Sequence, residues 1–287
     1  MKIIVLGTTG MLGSMVHGYL QRNSRLQVIG STRENFDAEA FATGHPVKLD
    51  LSADYIINCI GVIKPFCKDS DPRGCERAIK VNALFPHKLG QSARNQRTRV
   101  IQIATDCVYS GFKGFYKESD PHDALDVYGK TKSLGEVFDG SVLNLRCSII
   151  GPEIKNRVSL LEWFLGNKDG SELNGFSHHT WNGITTLQFA ELCEKIIENP
   201  GSYEDLIKIS HIHHYIPNST VNKFELLTLM SKIFEKNFKI KQVDNIGPPV
   251  NRALSTSFSA LKWASPQQEM EKALFQLKKY MTSAKSV

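Results

Sequence analysis

The chain has 287 residues, 41% hydrophobic and 22% charged, with a formal net charge of +6. That composition is ordinary for a globular protein, and the length suits one large domain or a domain with a smaller lobe. Basic residues are dispersed apart from Lys278-Lys279, which argues against a nucleic-acid stripe. The six cysteines form no C-x-x-C pair and no zinc spacing, the pattern of reduced thiols in a reducing, cytoplasmic compartment. The apolar N-terminus is too short to cross a membrane and contains a glycine loop, so a core strand is expected there and no membrane partner.

That strand, Met1 to Leu6, runs into Gly7-Thr8-Thr9-Gly10-Met11-Leu12-Gly13 and then a helix. A dinucleotide site needs this order. Gly7 lets the chain turn off the strand, Gly10 lets backbone approach a pyrophosphate, and Gly13 lets the helix pack close. The helix N-terminus offers free N–H groups to the phosphates. The spacing is Gly-x-x-Gly-x-x-Gly rather than Gly-x-Gly-x-x-Gly. A second strand, Leu26–Gly30, ends in Ser31-Thr32-Arg33. An acidic residue at this point would grip a ribose 2′-hydroxyl. Two hydroxyls and a guanidinium suit a 2′-phosphate instead, which favours NADPH.

Strand-like runs at 54–61, 99–106 and 142–150 alternate with a helical pattern over 75–95, stopped by Gly151-Pro152. The alternation predicts an α/β fold: a Rossmann-type, doubly wound parallel sheet with a smaller C-terminal lobe. Residues 1–151 form the expected cofactor domain, with 180–200 returning to it; 152–179 and 201–287 form the expected substrate lobe. Within these, 187–198 reads as a helix, 207–212 as a strand, 222–236 as a helix capped by Asn222 and Glu225, and 267–281 as the last helix. Ligands are expected at the carboxyl ends of the strands, where Asn58, Thr105 and Ser148 lie.

Tyr128 and Lys132 are four residues apart and share a helix face. A tyrosine near pKa ~10 is a weak acid–base group at neutral pH. A lysine alongside is expected to lower that pKa and to hold the nicotinamide ribose. Thr105 is the natural hydroxyl to bind a substrate carbonyl. His211, His213 and His214 lack accompanying carboxylate or cysteine ligands, as do His178 and His179, so no metal site is expected.

With both motifs in view, the chain resembles the extended short-chain dehydrogenase/reductases, and within them the dTDP-4-dehydrorhamnose reductase group. The likeness spans nearly the whole chain and includes Ala104–Gly111, Tyr128–Glu136, Arg146–Pro152, Trp181–Thr185 and Pro249–Ser255. It implies NADPH-dependent reduction of the C4 ketone of a nucleotide-linked 4-dehydro-6-deoxy sugar, feeding surface polysaccharide or glycan synthesis. Tyr128 would protonate the substrate oxygen, Lys132 would assist it, and Thr105 would bind the carbonyl. The cofactor would lie along Gly7, Thr9, Gly10, Met11, Leu12, Gly13, Ser31, Thr32, Arg33, Cys59, Ile60 and Gly61. Val62, Asn82, Asp106, Ser148, Trp181 and Arg252 would face the substrate, with Arg252 on its diphosphate. A homodimer is the implied partner state.

One departure stands out. The group's usual Ser-Thr-Asp-Tyr-Val carries Cys107 in place of its tyrosine. Related bifunctional epimerase/reductases such as GDP-fucose synthase-like enzymes use a cysteine there as the base for C3 or C5 epimerisation. Its acid partner is open among Lys155, Lys168, His178 and His179. Two rival functions remain. One is an NADP-binding regulatory subunit like that of methionine adenosyltransferase. The other is a 4-epimerase or a dehydratase, of which the dehydratase is disfavoured because Cys107 stands where it carries glutamate.

Overall fold

The computed structural model describes residues 1–155, 157–244 and 246–283. Its centre is a parallel sheet of β1 (Lys2–Leu6), β2 (Gln27–Gly30), β3 (Tyr55–Asn58), β4 (Arg99–Thr105), β5 (Val142–Cys147) and the strand Ile212–His214. The spatial order is Ile212–His214, β5, β4, β3, β1, β2. The chain winds one way from β1 to β2 and the other way from β3, so the switch point opens between β1 and β3. β1 reads as a continuous apolar run because both faces are covered. Ile3 and Val5 enter one apolar cluster with α1 (Met11–Leu20) and the helices Thr186–Glu198 and Met270–Ser283. Ile4 and Leu6 enter the other, with α2 (Ala38–Ala42), α3 (Pro72–Ala78) and α4 (Phe85–Gln96). This is the two-residue period of a strand made visible.

The helical pattern over 75–95 is longer and less regular than its spacing suggests. α3 passes through a π-helical stretch, Ile79–Leu84, into α4. The wider turn carries an extra residue, a device common at functional sites. Here it includes Asn82, fully buried. α5 (Val127–Leu134) is capped by Asp126, whose Oδ1 accepts from the Gly129 N–H at 2.7 Å. It ends at Gly135, where a Cβ would fall 1.8 Å from the Asn82 carbonyl oxygen. Only glycine lets the two backbones meet this closely.

Three expectations need correction. The first half of the expected strand 207–212 is the end of the helix Ser202–Ile209, whose apolar face buries Tyr203 and Leu206; strand begins at Ile212. Ile212–His214 then pairs with β5, so this part of the expected lobe 201–287 completes the main sheet. The expected strand 142–150 breaks at Ser148, and Ile149–Ile150 pairs instead with Ile184–Thr185. The Asn222–Glu225 capping box is present on the helix Lys223–Ile233. A three-stranded sheet (Val221–Asn222, His179–Trp181, Val250–Asn251) and a two-stranded one (Glu172–Phe176, Lys239–Val243) complete the fold. Among the described residues no helix is long and apolar enough to cross a membrane, and no three His, Cys, Asp or Glu side chains group to hold a metal.

A buried polar network joins these layers. Arg146 on β5 is 1% exposed and pairs with Glu136 through Nε and Nη2 at 3.0 and 2.7 Å. It also donates to the Tyr109 hydroxyl, to His214 Nε2 at 2.7 Å and to His122 Nε2 at 2.9 Å. Both imidazoles must therefore be neutral, with Nδ1 as donor: His214 to the Ser255 carbonyl, His122 to Ser133 Oγ. Burial and Arg146 together hold the His214 pKa below its ordinary 6.5. Glu118 accepts from His214 N, Thr256 Oγ1 and Ser257 N and is held below the usual carboxylate range.

Arg146→Met strands the Glu136 carboxylate and is expected to destabilise the fold by about 3–5 kcal/mol, read from the urea midpoint. The unfolded chain binds protons at His214 that the folded chain refuses, and Glu118 acts in the same sense. Stability is therefore expected to fall as pH drops below about 6.5. A flat midpoint between pH 7 and pH 5 would contradict this.

Candidate active site

The carboxyl ends of the sheet open into a cavity of about 710 Å³. Thr9, Gly10, Met11 and Leu12 form its floor on the α1 side. The loop is built as the sequence predicts: Gly7 has φ +86°, and a Cβ on Gly13 would fall 2.2 Å from the Gly7 carbonyl oxygen. Cys59, Ile60, Gly61 and Val62, after β3, form the next wall. Arg33 reaches both this cavity and a smaller adjoining one of about 140 Å³ that also takes Gly7, Ser31 and Thr32. The Arg33 side chain is 70% exposed and its nearest acid is Asp37 at 3.8 Å. The Ser31 hydroxyl also serves the loop itself, accepting from the Gly7 N–H at 3.0 Å.

Thr105, Asp106, Cys107, Tyr128, Lys132 and Ser148 line the far side of the same large cavity. Thr105 ends β4, and its Oγ1 accepts from the Cys107 N–H at 3.2 Å, which starts a short turn over 106–108. That turn aims Asp106 and Cys107 inward. The Thr105 hydroxyl also donates to Asp106 Oδ1 at 3.3 Å, on the wall it shares with Tyr128. Lys132 donates to the Ile103 carbonyl on β4 at 3.0 Å. Burial pulls its pKa down to about 8.

The electrostatics depart from expectation at Tyr128. Its phenol is pushed well above the ordinary value, by burial first and then by its neighbours Cys107 and Asp106. The expected lowering by Lys132 is overridden because the ammonium is committed to β4 while the ring is desolvated. Burial and Asp106 likewise push the Cys107 thiol up to about 12. Burial raises the Asp106 carboxyl, opposed by Arg252 and by hydrogen bonds from Thr105, Cys107 and Ser148.

Three expected substrate contacts lie outside the cavity wall. Asn82 spends its amide on positioning: Oδ1 accepts from the Val62 N–H at 2.8 Å, and Nδ2 donates to the Val62 carbonyl at 2.9 Å and to Thr131 Oγ1 at 3.2 Å. Trp181 belongs to the three-stranded sheet, opposite Val221. Arg252 donates to the Tyr109 and Ser110 carbonyls at 2.9 and 3.1 Å, yet its charge is felt by Asp106 and Cys107 on the wall. Of the four acid candidates, only Lys155 reaches the cavity, beside Glu153. Sequence reasoning missed Phe66, Arg77 and Glu153 on the wall. It also missed Lys64, paired with Asp126 at 2.7 Å and 5.8 Å from the Tyr128 ring centre. Lys64, Phe66 and Glu153 follow strand ends in the sequence, which was the available signal, whereas Arg77 lies on α3.

A model of the RmlD substrate binding domain family matches residues 1–150. The chain is 24% identical over 268 residues to the dTDP-4-dehydrorhamnose reductase of Aggregatibacter actinomycetemcomitans, covering 91% of this chain and 87% of that one. It is 28% identical over 252 residues to methionine adenosyltransferase 2 subunit beta of Xenopus tropicalis, covering 81% and 72%. The crystal structure of a Bacillus anthracis dTDP-4-dehydrorhamnose reductase in complex with NADP superposes with a TM-score of 0.76 at 15% identity, covering 97% and 99% of the two chains. The doubly wound fold is thus shared with the Bacillus anthracis structure, and this chain belongs to the RmlD substrate-binding domain family.

Proposed function

We propose that the chain reduces the C4 ketone of a nucleotide-linked 4-dehydro-6-deoxy sugar with NADPH. One observation carries this: a single cavity takes the glycine loop and Arg33 at one end and Thr105, Tyr128 and Lys132 at the other. The relatives named dTDP-4-dehydrorhamnose reductase support the substrate class.

NADPH, when bound, supplies a hydride, and the ketone becomes a secondary alcohol when a proton reaches its oxygen. Gly10 to Leu12 present the start of α1 to the cofactor pyrophosphate. Arg33 offers a bidentate fork to the 2′-phosphate. Lys132 keeps donors free for the ribose beyond the one spent on Ile103. Thr105 holds the C4 oxygen by its hydroxyl. Tyr128 delivers the proton from a phenol that is protonated at neutral pH, although burial makes it a weaker acid than free tyrosine. The product is an activated deoxysugar, the kind of donor that glycan assembly consumes.

The same electrostatics bear on epimerisation. At neutral pH Cys107 is a thiol rather than a thiolate, because burial and Asp106 oppose its ionisation. We therefore read the chain as a reductase without C3 or C5 epimerisation. Similarity to the methionine adenosyltransferase subunit favours one alternative, a partner that holds NADP without turnover.

Purified protein is mixed with NADPH and a panel of nucleotide 4-dehydro-6-deoxy sugars in deuterated buffer. NADPH oxidation is expected with one of them, without deuterium at C3 or C5. Tyr128→Phe is expected to lower kcat about 10²–10⁴-fold while leaving the NADPH Kd within about twofold. No oxidation with any sugar, despite tight NADPH binding, would move the assignment to the regulatory subunit. Arg33→Ala is expected to weaken NADPH binding about 10–100-fold and to leave NADH binding nearly unchanged. Equal effects on both would remove the 2′-phosphate contact.

A further inference from the structure

The loop after β3 is tied to the first turn of α5, the helix that carries Tyr128. Lys64 opens the short turn Lys64–Phe66, and its neighbours Ile63 and Phe66 line the reaction cavity. The Lys64 ammonium donates to Asp126 Oδ2 at 2.7 Å. The other oxygen of that carboxylate caps α5 at the Gly129 N–H, also at 2.7 Å. A second tie follows at Asp69, whose Oδ1 accepts from the Val127 N–H at 2.8 Å. The helix start also presses on the turn after β4: a Cβ on Gly129 would fall 2.5 Å from the Cys107 carbonyl oxygen. Tyr128 therefore stands on a helix start that two neighbouring segments hold.

This arrangement puts the Lys64 ammonium over the Tyr128 ring, 5.8 Å from its centre. That lies inside the roughly 6 Å at which a cation is attracted to an aromatic face. The Lys64 and Asp126 side chains are 41% and 35% exposed, so solvent screens part of the charge. Lys132, expected to serve the phenol, is held by the Ile103 carbonyl at 3.0 Å. Cys107 and Asp106 face the phenol from the turn after β4, and Cys67 faces it from the end of the Lys64–Phe66 turn. None of these three offers a positive charge.

We propose that Lys64 acts through Tyr128 as a positioning residue: held by Asp126, it stabilises the phenolate that proton transfer leaves behind. The inference rests on the reductase reading above and adds a residue that no motif had marked. As the C4 oxygen of the sugar gains its proton, the Tyr128 O–H bond breaks. The electron pair of that bond stays on the phenolate until water returns a proton. Before transfer the ammonium meets a neutral ring, which is a weak attraction. As the phenolate forms, the ammonium meets a full negative charge. An interaction that strengthens along the reaction speeds the chemical step and leaves binding nearly unchanged.

Single-turnover NADPH oxidation at saturating sugar nucleotide is measured for the wild type, Lys64→Arg, Lys64→Gln and Lys64→Met, each also in a Tyr128→Phe background. NADPH Kd serves as the check on folding. Glutamine keeps a hydrogen bond to Asp126 without the charge. Lys64→Gln and Lys64→Met are expected to slow the chemical step about tenfold with NADPH Kd unchanged, and Lys64→Arg to keep most of the rate. In the Tyr128→Phe background the same substitutions are expected to change the rate less than about twofold, because no phenolate forms there. If Lys64→Gln keeps the wild-type rate, Lys64 only ties the loop and the proposal is overturned, while the reductase reading stands. Equal losses in both backgrounds overturn it as well. If the wild type binds NADPH but reduces none of the sugars, the reductase reading falls and this inference with it.

Discussion

The close contact of two backbones at Gly135 and Asn82 is the constraint on which the site depends. No side chain separates the end of α5 from the wide turn between α3 and α4. That contact sets how deep α5 lies, and so where Tyr128 and Lys132 enter the cavity. The same turn points the Asn82 amide at both polar groups of the Val62 backbone and at Thr131 on α5. One buried side chain thereby holds the loop after β3 and α5 in a fixed relation. Losing it leaves buried polar groups unmatched, at about 1–3 kcal/mol each.

Burial sets the chemistry as much as placement does. A lysine near a tyrosine is read by habit as an activator. Here the ammonium is drawn to the Ile103 carbonyl, and the phenol responds mainly to desolvation. A phenol is protonated at neutral pH without this shift, so desolvation weakens it as a proton donor. The same desolvation holds Cys107 as a thiol and raises Asp106. Behind the cavity, the Arg146 network ties β5 and the end of α5 to the Ser255–Ser257 segment. Its two neutral histidines leave it intact only above the acid range.

Much of this was written in local pattern. The strand–glycine loop–helix at the N-terminus is a nearest-neighbour signal, and so is the four-residue spacing of Tyr128 and Lys132. The parallel sheet followed from alternation of apolar runs and helical periods. What was not legible depends on distant partners. The helix Ser202–Ile209 has an apolar tail, Leu206 and Ile207, that reads as strand until its packing is known. Asn82 looked like a substrate contact because nothing local says that Val62 would absorb its amide. Arg77 reaches the cavity from α3 and Phe66 from the short turn after β3, placements that no local periodicity encodes.

The central claim is that hydride and proton meet at one ketone between Thr105 and Tyr128. The most direct measurement is a single turnover with NADPH deuterated at both C4 positions of the nicotinamide, followed by NMR of the sugar-nucleotide product. Deuterium at carbon 4 of the sugar, one atom per NADPH consumed, is the predicted result. Consumption of NADPH with no deuterium in the sugar, or label at another carbon, would contradict it.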